Sequence, residues 1–264
     1  MSKIQFFCFT ASYAVALALE LLNQFWPRPV LRLLSLVFGG AGLVAHTLYL
    51  ADKRPPLAWQ YGWMLFLAWI LAIFYLYGSI HHGKVAWGIF VLPLVLGLVS
   101  LGRAFGQPDD QTGRGGLNFW GALHGQLLLL AAVGVCVGFL ASLMYLIQMH
   151  RLRTKAPPGK GLRLLSLERL EAMNRRAINL SFPLLTVGVL IGAVLLAQAP
   201  WNGWTDPRVL LTGVLWLTFA AMFYLRYGYH LRGRQLALLT IVAFVLLLGC
   251  LTISHPAMEQ GGGR

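Results

Sequence analysis

The sequence predicts an all-α protein, a polytopic transmembrane helix bundle of about eight spanning helices with both termini outside. Three observations carry that prediction. Of the 264 residues, 58% are hydrophobic and only 11% charged, where soluble domains carry about 25% charged residues. The apolar residues fall into runs close to the roughly 20 residues that a membrane-spanning helix needs. Lys and Arg gather in alternate connections between those runs, which is how charge orients membrane helices.

Taken in order, the runs are 4–22, 32–50, 58–77, 84–102, 119–149, 180–198, 208–225 and 236–255. They are continuously apolar rather than alternating, which favours helices over a barrel. The fifth is long enough to tilt or to project from the bilayer. Fourteen of the 21 Lys/Arg and three of the eight acids fall on one side, in Arg28, Arg32, Lys84, the 150–178 loop and Arg226/Arg232/Arg234 among others. That side is expected to be cytoplasmic. The net charge of +13 therefore reflects topology and gives no reason to expect nucleic acid. The lipid bilayer is the expected partner of the whole chain, which reads as a single integral membrane domain, 1–264.

Cys8, Cys136 and Cys250 each lie inside an apolar run, and none forms Cys-x-x-Cys or Cys-x-x-Cys-His. A redox dithiol and a covalently attached c-type haem are excluded on that spacing. No cleavable leader pattern precedes the first run, which is expected to remain as a helix. In the basic 150–178 loop, Leu167, Leu170, Met173/Asn174 and Ala177 share one face, so the segment is expected to be an amphipathic helix lying in the inner interface. The Gly159-Lys160-Gly161 within it lacks the spacer and Ser/Thr of a phosphate loop. Glycines at Gly39-Gly40-x-Gly42, Gly134-x-x-x-Gly138 and Gly188-x-x-x-Gly192 suit close helix packing.

The outer connection 199–208 contains Trp201-Asn202-Gly203-Trp204-Thr205-Asp206-Pro207-Arg208. Tryptophans gather at membrane interfaces in any case, and Asp206-Pro207 also reads as a helix N-cap followed by proline at the first helical position. The predicted topology nevertheless brings His46, His124 and His255 to the level of this loop. Two indoles, a carboxylate, an arginine and imidazoles suit a flat, apolar, metal-bearing ligand with acidic edges, that is, haem; imidazole is a standard axial ligand to its iron. Arg103, on an outer connection, adds a guanidinium fork for a propionate. His81, His82, His150 and His230 fall at inner positions, as flank residues. No Ser/His/Asp or paired-carboxylate constellation points to hydrolysis, and the chain reads as a handling or assembly factor rather than an enzyme.

Several segments carry a family likeness. They are His46-Thr-Leu-Tyr-Leu, Pro56-Leu-Ala-Trp-Gln-Tyr61, Leu65-Phe-Leu-Ala-Trp69, Leu123-His124, Ser181-Phe-Pro-Leu-Leu-Thr186, Trp204-Thr-Asp-Pro207, Arg232-Gly233-Arg234 and His255. In this order the chain resembles the tryptophan-rich cytochrome c assembly family, of which CcsA of the system II pathway and the HemX proteins are members. The resemblance implies non-covalent haem b at the outer face of a bacterial plasma membrane. His124 and His255 would be the axial ligands flanking the tryptophan loop, with apocytochrome c and a CcsB-like membrane protein as partners. Three positions depart from the fuller family pattern. Val209 rather than an acid follows Arg208, Gly62 follows Tyr61, and Arg226 stands where fuller members carry a histidine. A HemX-like regulator of haem biosynthesis is the alternative, and a small-molecule transporter without haem a second one. A transporter would be expected to show ionisable groups near the midplane, and few are present.

Overall fold

The computed structural model of the protein describes residues 2–52, 62–81, 85–105, 119–154, 162, 164–198, 203–229 and 233–252. Every regular element among them is helical. In chain order they are α1 (Ser2–Phe25), α2 (Pro29–Asp52), α3 (Gly62–His81), α4 (Gly88–Phe105), α5 (Phe119–Arg153), α6 (Leu167–Ala197), α7 (Pro207–Gly228) and α8 (Arg234–Thr252). Seven are long and apolar enough to cross a membrane; α4 is apolar but shorter. The all-α polytopic bundle expected from the sequence is thus what the chain forms.

One element differs from its expected form. Residues 167–178 are the first turns of α6, which continues unbroken to Ala197. Ser166 caps the helix, its side chain accepting from Arg169 N. At ~1.5 Å per residue, helices of 35 and 31 residues exceed the ~30 Å hydrocarbon layer. Both α5 and α6 therefore have turns to spare, and the charged residues of α6 occupy its first turns.

The chain divides into two compact units, residues 1–109 with 151–165, and residues 110–150 with 166–264. The first contains α1–α4. Its helices approach one another where glycine removes a side chain. A Cβ on Gly39 would lie 2.6 Å from Tyr75, and one on Gly42 2.8 Å from Tyr13. At the start of α4, a Cβ on Gly88 would meet Glu20 at 2.7 Å and Tyr75 at 2.8 Å. Small residues substitute here for the hydrophobic driving force that lipid does not supply. Glu20 of α1 is a carboxylate within this apolar unit, and its Oε1 accepts from Ser35 of α2 at 2.9 Å and from Tyr75 of α3 at 3.4 Å. Arg32 closes the same end by donating to the Ser79 carbonyl at 3.0 Å.

In the second unit α5 and α6 run antiparallel. Gly134 faces Ser181, and Gly138 faces Asn174 and Ala177. Asn174 donates to Thr240 of α8 at 3.3 Å, and the Thr240 hydroxyl donates to Leu236 O at 2.9 Å. Trp216 of α7 donates its indole N–H to Thr186 of α6 at 3.0 Å. Phe139 and Phe244 stack with centroids 4.0 Å apart. The one described glycine at positive φ is Gly233, at 73°, in the turn into α8. A side chain is strained in that conformation, and a Cβ would also lie 2.8 Å from the Tyr145 hydroxyl.

Candidate functional site

Of the residues singled out around the tryptophan-rich connection, the second unit carries Trp204, Asp206, Arg208 and His124 among the described residues. Asp206 is buried, at 7% exposure, and caps α7: its Oδ1 accepts from Arg208 N at 2.9 Å, with Pro207 opening the helix. The expectation of an N-cap holds, and it accounts for both residues structurally. Trp204 sits just before the cap in a single 3-10 turn, Gly203–Thr205, half-exposed at 50%. Arg208 lies on the first turn of α7. Tyr227 of α7 donates to Asn179 of α6 and Trp216 to Thr186, so the two helices run antiparallel and the end of α6 lies beside the start of α7. Thr212 reaches Cys250 near the end of α8, Oγ1 to Sγ 3.9 Å, so the last turns of α8 belong to this end too.

His124, in the second turn of α5, faces the last turns of α6 at the same end. Its Nδ1 is 2.7 Å from the carbonyl oxygen of Gly188 on α6. A carbonyl can only accept, so Nδ1 carries the proton and donates it. In a neutral imidazole the other nitrogen, Nε2, then holds the lone pair. The ring is only partly buried. This is the arrangement that metal-binding histidines have, one nitrogen committed to a backbone carbonyl and the other left basic and oriented. The donor chemistry at His124 therefore fits an axial haem ligand.

The remaining expected residues divide as follows. Trp201 and His255 lie outside the described residues, as do His82 and His230. His46 belongs to the first unit, fully buried at 0% exposure. It stacks on Phe9 with centroids 4.3 Å apart and 4° between planes, and its Nδ1 is 3.4 Å from the Tyr13 hydroxyl. Its Nε2 has no hydrogen-bond partner among the described residues. Arg103 is also in the first unit, its guanidinium 5.4 Å above the Phe6 ring. Tyr77 takes up His81, whose Nδ1 is 3.0 Å from the Tyr77 carbonyl. Arg226, in the last turn of α7, pairs with Glu171 at 3.8 Å.

Two features went unread in the sequence. Glu20 stood there as a single acid near the end of an apolar run, and its partners come from helices 15 and 55 residues away. The Gly188-x-x-x-Gly192 pair was legible as a packing stripe, but nothing in its spacing named His124 as what it packs.

Residues 57–255 match the family described as Cytochrome C assembly protein. The chain belongs to the cytochrome c assembly family. Curated proteins similar to it carry the name cytochrome c biogenesis protein CcsA. The one from Guillardia theta is 26% identical over 231 residues, 79% of this chain and 76% of that protein. That from Synechococcus sp. strain JA-2-3B'a(2-13) is 27% identical, covering 90% of this chain and 88% of its own length. The Chlamydomonas reinhardtii protein is 26% identical over 74% of this chain, which spans only 56% of it. No solved structure matches. The family match begins at residue 57, so α1, α2 and His46 precede it, whereas His124, the tryptophan-rich turn and His255 fall inside it.

Proposed function

We propose that this cytochrome c assembly protein holds non-covalent haem b at the end of the second unit where α7 begins, with His124 and His255 as axial ligands. The observation that carries the reading is the 2.7 Å hydrogen bond from His124 Nδ1 to the Gly188 carbonyl, which leaves Nε2 free to bind iron. His255 is the second imidazole, three residues past the end of α8 in sequence. Trp201 and Trp204 supply indole faces for the porphyrin, and Arg208 a cation for a propionate. Asp206 contributes by holding the start of α7. His46 and Arg103 belong to the first unit and are assigned no ligand here. Haem, when bound, supplies the group that apocytochrome c receives. The role of the chain's own residues is to hold that group by two imidazoles and an aromatic wall, and to release it.

The loop-charge bias supports an extracytoplasmic face of a bacterial plasma membrane for this site. A CcsB-like membrane protein and apocytochrome c are the partners in this reading, as the family resemblance implies. One observation favours the HemX-like alternative: the inner end of α7, where fuller members carry a histidine, is occupied by the Arg226–Glu171 ion pair.

The test is an absorption spectrum of the detergent-purified protein, with a pyridine haemochrome assay. Non-covalent haem with a low-spin, bis-histidine spectrum is expected. His124→Ala and His255→Ala should each lose the low-spin spectrum and regain part of it with exogenous imidazole, because an open axial position shifts iron toward high spin. His46→Ala should do less and His230→Ala least. Absence of a Soret band after haem-replete expression overturns the proposal. Co-purification of a soluble cytoplasmic protein with a haem-free chain would move the assignment to the regulator.

A further inference from the structure

Beyond its carbonyl bond, the imidazole of His124 is enclosed by α6 in a way that helix packing alone does not require. Gly188 and Gly192 are one turn apart on one face of α6, and His124 and Leu128 are one turn apart on the facing side of α5. The two pairs mesh. A Cβ on Gly188 would meet Leu128 Cδ2 at 2.9 Å, the far end of a flexible side chain that can give way. A Cβ on Gly192 would meet the imidazole itself, at 2.6 Å from Cε1, 3.0 Å from Nδ1 and 3.4 Å from Nε2. A rigid ring held at one nitrogen cannot absorb such a contact by a small shift. It must swing about its side-chain torsions, and that swing breaks the 2.7 Å bond to Gly188 O.

We infer that Gly192 is a positioning residue for His124, acting with the Gly188 carbonyl as a bracket that fixes both the tautomer and the direction of Nε2. The inference rests on the proposed role of His124 as an axial ligand. The carbonyl of Gly188 keeps a lone pair for the imidazole in addition to its place in the helix, and it can be approached because Gly192 carries no side chain over it. Any side chain at 192 leaves the ring without its seat, and Nε2 without a fixed aim. Partners of this kind commonly alter metal affinity by about 10- to 100-fold when removed.

The experiment uses the full-length protein purified in detergent, with the haem spectrum and haem retention as readouts. Gly192→Ala is expected to convert low-spin haem partly to high spin and to weaken retention by about 10- to 100-fold. Exogenous imidazole should restore part of the low-spin spectrum. Gly121→Ala on α5, whose Cβ would meet nothing within 4 Å, should leave the spectrum as it is. The decisive variant is the double substitution Gly192→Ala/His124→Ala. A residue that acts through His124 has nothing further to disturb once the ring is gone, so the double variant should match His124→Ala alone, the non-additivity expected of a coupled pair. If Gly192→Ala fails to accumulate while the double variant folds, the contact with the ring is the cause, and the inference stands. Four results overturn it: an unchanged low-spin spectrum in Gly192→Ala, the same spectral loss in Gly121→Ala, a double variant that retains haem less well than His124→Ala, or failure of both Gly192 variants to fold. If His124→Ala itself keeps the low-spin spectrum, the ligand assignment falls first and takes this inference with it. If His124→Ala loses that spectrum and Gly192→Ala does not, the inference alone is wrong.

Discussion

A carboxylate at the start of a helix accepts hydrogen bonds from N–H groups that have no partner within the helix. Asp206 does so through Arg208 N at 2.9 Å. That bond serves α7 directly, and it would serve the proposed haem site by holding Trp204 and Arg208 in register. Asparagine caps as well as aspartate does, so Asp206→Asn should keep both stability and haem, while Asp206→Ala should cost about 1 kcal/mol of unfolding free energy. Denaturant unfolding in mixed detergent measures the cost, and haem loss in the Asn variant would show that the charge itself is needed. Glu20 raises a different question, because its hydrogen-bond partners are side chains of two other helices. Replacing it by leucine removes the acceptor that Ser35 and Tyr75 share, but their hydroxyls lie 2.7 Å apart and keep each other as partners. The cost should therefore be about 0.5–1.5 kcal/mol for the lost hydrogen bond. Glu20→Gln keeps an acceptor oxygen and should cost less. Thermal stability of the two variants compares them, and equal stability would remove the carboxylate from any role in holding α1, α2 and α3 together.

At the scale of elements, glycine decides how closely the helices approach. Gly39 and Gly40 are adjacent in α2, yet a Cβ on Gly39 would lie 2.6 Å from Tyr75 while one on Gly40 would meet nothing within 4 Å. Gly39→Ala should therefore destabilise the first unit by about 1–3 kcal/mol through overpacking. Gly40→Ala should be neutral or stabilising by up to about 1 kcal/mol, since alanine loses less backbone entropy in a helix. Thermal unfolding of the two variants in one detergent reads the difference, and equal shifts would mean that Tyr75 does not pack on α2 as described. The sequence displayed these glycines as a stripe but carried no sign of which one faced a neighbour, because that depends on the rotation of α2 against α3. The continuity of α6 was hidden for a similar reason. Its composition changes near residue 179 from charged and amphipathic to apolar, and that change marks where the helix enters the bilayer, not where it ends. Pro183 lies within the helix, and no glycine separates the two parts.

For the whole molecule, hydropathy made the eight helices legible, since lipid demands continuous apolar runs of a set length. The His124 site was legible only in part: the sequence placed the histidine near an outer helix end, but its tautomer depends on a carbonyl 64 residues away. The charge distribution makes a definite prediction of which membrane face each end occupies. Fourteen of the 21 Lys/Arg fall on the side of the 150–178 loop, so that loop should be cytoplasmic and both termini outside. An even number of crossings requires the termini to share a face, and α4, the shortest of the set, is the crossing on which the parity depends. Cysteine labelling tests it in a background freed of Cys8, Cys136 and Cys250, because Cys8 is exposed and Cys250 partly so. In intact spheroplasts an impermeant maleimide should modify Gly262→Cys and should reach Lys160→Cys only after the membrane is opened. Modification of Gly262→Cys solely from the cytoplasmic side, with Ser2→Cys modified from outside, would mean that α4 does not cross. Both sites modified from the cytoplasmic side would instead invert the bundle and put His124 and the start of α7 on the inner face, against delivery of haem to an extracytoplasmic apocytochrome.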